Sequence, residues 1–163
     1  MKARYCLIIL CLTYISQVFI QPTTILFGGN GVDGMWYSSV ITSPGNQIDN
    51  YHLFKSLPAF CVKWTLVLLG IDNTMPNLIF CWKIMNATCC IFSLFIAYRI
   101  AYNLNLSEGK ISFYLFIVFT SFLLLKIGLY DVITPDIFAF LISFLLLYSI
   151  LYRNTFLTIL LFL

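Results

Sequence analysis

The side chains in this sequence best placed to do chemistry are aspartates in short polar stretches between apolar runs. Asp33 stands in Gly31-Val32-Asp33-Gly34 and is followed by Trp36 and Tyr37. A carboxylate between turn-forming glycines can act as a general base or ligate a divalent metal ion. The two aromatic rings can stack on a sugar or sit at the headgroup level of a bilayer. The plainer account is equally physical: Asp-Gly is a turn dipeptide, and Trp and Tyr belong to membrane interfaces.

A second group spans Asp131 to Asp136. Thr134-Pro135-Asp136 opens an apolar run, with Thr134 as a helix N-cap, Pro135 in the first turn and Asp136 favoured by the helix dipole. That structural role explains the residues by itself. If this turn packs beside Asp33, two acids face one external cavity, which makes a metal or acid–base site. The third group is Lys55-Ser56-Leu57-Pro58. A cation ahead of a proline-started helix can hold a phosphate, or can simply mark a helix start among lipid headgroups.

The elements that must position these groups are hydrophobic helices. Of 163 residues, 61% are apolar and only 9% charged, against roughly a quarter charged in soluble domains. A bilayer accepts that much apolar surface where water does not. The expected fold is all-α: one membrane domain, a polytopic transmembrane helix bundle with an external loop carrying short interfacial helices. Spans are expected over 5–27, 77–101, 113–129 and 137–152, with a partial span over 155–163. Residues 28–56 form the external loop. The run 57–71 reaches only ~22 Å as a helix, less than the ~30 Å hydrocarbon core, so it is a short span or an interfacial helix. The apolar run 155–163 is too short to cross, which leads us to expect a truncated member of a longer family.

Basic residues near span ends stay in the cytoplasm. Lys2 and Arg4 therefore place the N-terminus inside. An interfacial 57–71 helix puts Arg99, Lys110 and Arg153 inside as well, whereas a spanning one puts them outside. The first arrangement satisfies the charge rule throughout and gathers Asp33, Asp49, Asp131 and Asp136 on the external side. The expected location is the plasma (inner) membrane.

Several classes fall away. The net charge of +3 comes from singly scattered residues, which gives neither a nucleic-acid footprint nor a polybasic lipid-binding run. The six cysteines form no CxxC pair and His52 is the only histidine, so no zinc set is visible and the thiols read as small apolar fillers. Transport needs ionisable groups facing a midplane cavity. Lys63, Lys83 and Lys126 are poor candidates, each near a helix end or in the short helix.

At the three polar groups the sequence resembles the GT-C membrane glycosyltransferases, which use polyprenyl-phosphate-linked sugars. Asp33-Gly34-Met35-Trp36-Tyr37 is similar to an Asp-Gly-x-x-Tyr element after the first span. Lys55-Ser56-Leu57-Pro58 resembles a basic-x-Leu-Pro element, with lysine where arginine is frequent. Thr134-Pro135-Asp136 resembles a Thr-Asp motif with Pro135 interposed. The resemblance implies transfer of a sugar from a polyprenyl-phosphate carrier at the external face. Asp33 would be the base or a metal-positioning acid, the second role with a divalent metal ion as cofactor. Asp136 or Asp131 would support it, Lys55 would face the carrier phosphate, and Trp36 and Tyr37 would contact substrate. Family members are considerably longer, which implies a further C-terminal part or a partner membrane chain. The alternative is a small non-enzymatic accessory or scaffold protein of the membrane.

Overall fold

The computed structural model describes residues 2–20, 37, 41, 57–121 and 136–153. All regular structure among them is helical: α1 (Ala3–Ile20), α2 (Leu57–Leu69), α3 (Met75–Asn103), α4 (Glu108–Phe119) and α5 (Asp136–Leu151).

Local chemistry sets where these helices stop. Gly70 follows α2 at φ 62°, a left-handed conformation that glycine adopts without a Cβ penalty. The Gly70 N–H bonds the Val67 carbonyl and the Ile71 N–H bonds the Leu66 carbonyl, closing a Schellman cap. Thr74 then takes the extended N-cap conformation of α3, with Pro76 in the first turn where no intrahelical N–H is needed. The far end of α3 repeats the device with Asn105 at φ 55°. Asn105 N–H bonds Tyr102 and Leu106 N–H bonds Ala101. α4 begins at Glu108, ahead of the apolar run at 113, because an acid in the first turn suits the helix dipole.

α3 is the hub of the bundle. α5, α1, α4 and α2 all pack on it, and α1 also packs on α4. α1 runs antiparallel to α3: its first N–H, on Ala3, bonds the Glu108 carboxylate just past the end of α3. At its other end Phe19 lies 6.2 Å from Phe80, near the α3 start. α4 runs alongside α1, with the Cys6 thiol 3.8 Å from the Ser112 carbonyl and the Tyr14 ring edge-on to Phe119 at 6.4 Å. α5 runs parallel to α3, since Phe138 meets Met85 and Cys89 while Tyr148 meets Phe95 and Arg99. α2 folds back along the first half of α3, so Leu66 joins Leu78 in one apolar cluster and Cys61 reaches the level of Cys89.

Close helix approach in the main cluster is allowed by small residues on α3, namely Cys90, Ala97 and Ala101, against Tyr14, Leu115 and Ile137. Among the described residues the buried core is mainly apolar, with three polar residues inside it and large apolar side chains also on the outside. Asn86, Ser93 and Ser149 are fully buried, while Leu68 is 81% exposed and Phe113 65%. Hydroxyls along the helices bond carbonyls of their own helix: Thr65 to Cys61, Thr88 to Ile84, Ser93 to Cys89, Ser143 to Ala139. These hydroxyls are satisfied within their own helices, as apolar surroundings would require. α1 and α3 are long and apolar enough to cross a membrane. The 29 residues of α3 extend about 43 Å, beyond the ~30 Å hydrocarbon thickness.

The Glu108 carboxylate caps α1 from a different helix, so its charge links two elements distant in sequence. Glu108→Gln keeps the shape but removes the charge that strengthens the bond and meets the α1 dipole. The expected loss is about 1 kcal/mol in detergent-induced unfolding. An unchanged midpoint would mean that the carboxylate contributes nothing to holding α1.

Candidate functional site

Two helix starts open on one hollow against the middle of α3. The cavity measures about 260 Å³ and is walled by Cys61 and Thr65 of α2, Met85 and Cys89 of α3, and Phe138 of α5, among others. Cys61 lies one turn beyond Leu57 and Pro58, and Phe138 two residues beyond Asp136. Motifs that stand far apart in the sequence therefore lead into helices that share this cavity.

Asp136 is the first residue of α5 and is half-buried, followed at once by the fully buried Ile137. Ile137 anchors the helix start in the main cluster and so fixes the depth of the carboxylate. The N-terminal end of α5 favours a negative charge there. The cavity walls themselves carry little reactivity. The Thr65 and Thr88 hydroxyls already donate to their own helices, and the remaining walls are thiols, methyl groups and an aromatic ring. Such a hollow holds apolar matter. Acid–base chemistry would have to come from outside these walls; Asp136 does not line the cavity and stands two residues before Phe138, which does.

Tyr37 has a packing role in the described structure. It is 2% exposed, with its ring 6.4 Å from Trp82 and tilted by 57°. Ile41, Ala59, Val62 and Leu78 complete that cluster. A ring enclosed in this way has no face open for a sugar. The Ile41 carbonyl accepts a hydrogen bond of 3.2 Å from the Asn73 amide, which ties the same segment to the α2–α3 turn. Asp33, Trp36, Lys55 and Asp131 lie outside the described residues. Of the nominated acids, Asp136 alone has a described position. Among the described residues no three histidine, cysteine or acidic side chains are grouped to hold a metal ion. All six cysteines are free thiols.

Two features escaped the sequence reading. Trp82, completely buried and holding Tyr37, is one aromatic among many in an apolar run. The other is the polar end of the bundle, where Lys2, Arg4, Arg99 and Glu108 meet around a cavity with Tyr98 and Tyr102. Arg99 was visible as a basic residue near the end of an apolar run, but its companions come from other helices.

No protein-family model, no curated protein and no solved structure matches the chain.

Proposed function

We propose that the chain is a multi-pass membrane glycosyltransferase of the GT-C kind, acting at the external face of a plasma membrane on a polyprenyl-phosphate-linked sugar. One observation carries the reading: the helices that follow Lys55-Ser56 and Thr134-Pro135 share a single cavity, which Phe138 lines two residues beyond Asp136. The distribution of charge supports the orientation. Lys2, Arg4 and Arg99 share the end of the bundle where α3 finishes, and Lys110 and Arg153 follow the same direction at the start of α4 and the end of α5. That is the end expected to face the cytoplasm.

In the proposed reaction, Asp33 takes the proton of the acceptor hydroxyl as that oxygen bonds the anomeric carbon of the sugar. The bond from that carbon to the carrier phosphate oxygen breaks. Its electron pair leaves with polyprenyl phosphate, and the anomeric configuration inverts. Lys55 faces the phosphate as its charge develops, Trp36 lies against the sugar, and Asp136 supports the base from the start of α5. Tyr37 serves this site indirectly, by fastening the segment after Asp33 to Trp82.

The test is release of polyprenyl phosphate from a polyprenyl-phosphate sugar by the chain reconstituted in liposomes, with a free monosaccharide added to supply the acceptor hydroxyl. Asp136→Asn is expected to slow release about tenfold or more, since it removes a charge from the site without changing its shape. Release by Asp136→Asn at the unsubstituted rate would remove Asp136 from the site. No release by the unsubstituted chain would favour the accessory reading.

A further inference from the structure

We infer that the polar end of the bundle binds the phosphate headgroup of an anionic membrane lipid, with its acyl chains laid between α3 and α5. The inference does not depend on the glycosyltransferase reading.

The fold builds this site from residues that the sequence keeps apart. Lys2 and Arg4 come from the start of α1, Arg99 from the last turns of α3, and Glu108 from the start of α4. They enclose a cavity of about 400 Å³ with Tyr98 and Tyr102. The two tyrosine rings stack at 6.0 Å with planes 22° apart and form a flat wall. The Arg4 guanidinium is steadied over the Tyr5 ring at 5.3 Å. Three cations thus face one acid, and that acid already accepts the Ala3 N–H. The local balance favours an anion, and arginine's donor fork suits phosphate oxygens.

A second cavity identifies the anion as part of an amphiphile. Arg99 also borders a hollow of about 510 Å³ lined by Phe95, Ile96, Leu145 and Tyr148. This hollow is apolar, lies between α3 and α5, and shares Arg99 as a lining residue with the polar cavity. Phe95 is half-exposed on its rim, as is Tyr5 beside Arg4. A free phosphate would use only the polar half. A phospholipid uses both, with its headgroup among the cations and its chain along Phe95 and Leu145.

The experiment uses the full chain in a neutral detergent, with lipid retention read by native mass spectrometry. Phosphatidylglycerol and phosphatidylcholine are offered at equal concentration. Selective retention of phosphatidylglycerol is expected. R4Q/R99Q is expected to lower that retention about thirtyfold, roughly fivefold for each cation lost. R4K/R99K, which keeps the charges, is expected to retain most of it. K63Q, on α2 away from the site, is expected to change nothing. Inorganic phosphate in large excess is expected to leave the lipid bound. Equal retention of the two lipids by the unsubstituted chain would overturn the inference, whether or not R4Q/R99Q folds. Displacement of the lipid by inorganic phosphate would overturn it too, by making the site one for free anions.

Discussion

Asp33→Asn is expected to lower sugar transfer by a factor of about 10² to 10⁴ while leaving membrane insertion and the helical content unchanged. The expectation rests on the chemistry assigned to one carboxylate. An acceptor hydroxyl is a poor nucleophile until its proton is removed as the new bond forms. Asparagine has nearly the same size and can hold a similar hydrogen bond, yet it cannot take that proton. The loss should therefore fall on turnover, with donor affinity changed much less, because the carrier phosphate is assigned to Lys55. Asp136→Asn should be milder, since its proposed role is to support the base. Transfer by Asp33→Asn at the unsubstituted level would remove the central catalytic assignment. A parallel loss of insertion would point to a structural turn at Asp33-Gly34 instead.

Trp82→Ala carries the largest expected effect on stability. Trp82 is completely buried on α3, and the residues around it come from three places: Tyr37 and Ile41, the α2 residues Ala59, Val62 and Leu66, and Leu78 on its own helix. Truncation would leave a cavity that these neighbours can fill only by moving apart from their present anchors. A loss of about 3 kcal/mol or more is expected. In a bilayer this cost is chiefly lost packing, because lipid supplies no hydrophobic drive for helices to associate. The Trp82 indole N–H has no hydrogen-bond partner among the described residues, so packing is the whole of its described contribution. Trp82→Phe, which keeps most of the volume, should recover much of the loss. The measurement is detergent-induced unfolding followed by circular dichroism. Equal midpoints for Trp82→Ala and the unsubstituted chain would show that Tyr37 and α2 are not held through this residue.

The helices were the most legible part of the sequence. The apolar runs at 77–101 and 137–152 become Met75–Asn103 and Asp136–Leu151, because continuous apolar composition leaves a backbone no better way to satisfy its own polar groups. The start at Asp136 was legible for a local reason, an acid and a proline at a helix opening. The caps at Gly70 and Asn105 follow from backbone conformations that these residue types tolerate. What the sequence concealed was the meeting of distant residues. Lys2, Arg4, Arg99 and Glu108 look isolated along the chain, and only the antiparallel pairing of α1 with α3 gathers them. Tyr37 misled in the opposite way. An aromatic beside an Asp-Gly turn suggests an open surface, yet its partner Trp82 stands on another helix and encloses it. The shared cavity at the starts of α2 and α5 was equally hidden, since it depends on α2 folding back along α3.

External sugar transfer requires the two ends of α3 to lie on opposite sides of a bilayer, with the basic end in the cytoplasm. The most direct test is a pair of reporter fusions in a bacterial host, one after Asp72 in the α2–α3 turn and one after Ser107 beyond α3. Alkaline phosphatase, which is active only outside, should be active after Asp72 and inactive after Ser107. A fluorescent protein that folds only in the cytoplasm should give the reverse pattern. Activity of alkaline phosphatase at Ser107 with none at Asp72 would invert the molecule, placing the start of α5 on the inner side and contradicting external sugar transfer. The same reporter state at both positions would mean that α3 does not cross at all.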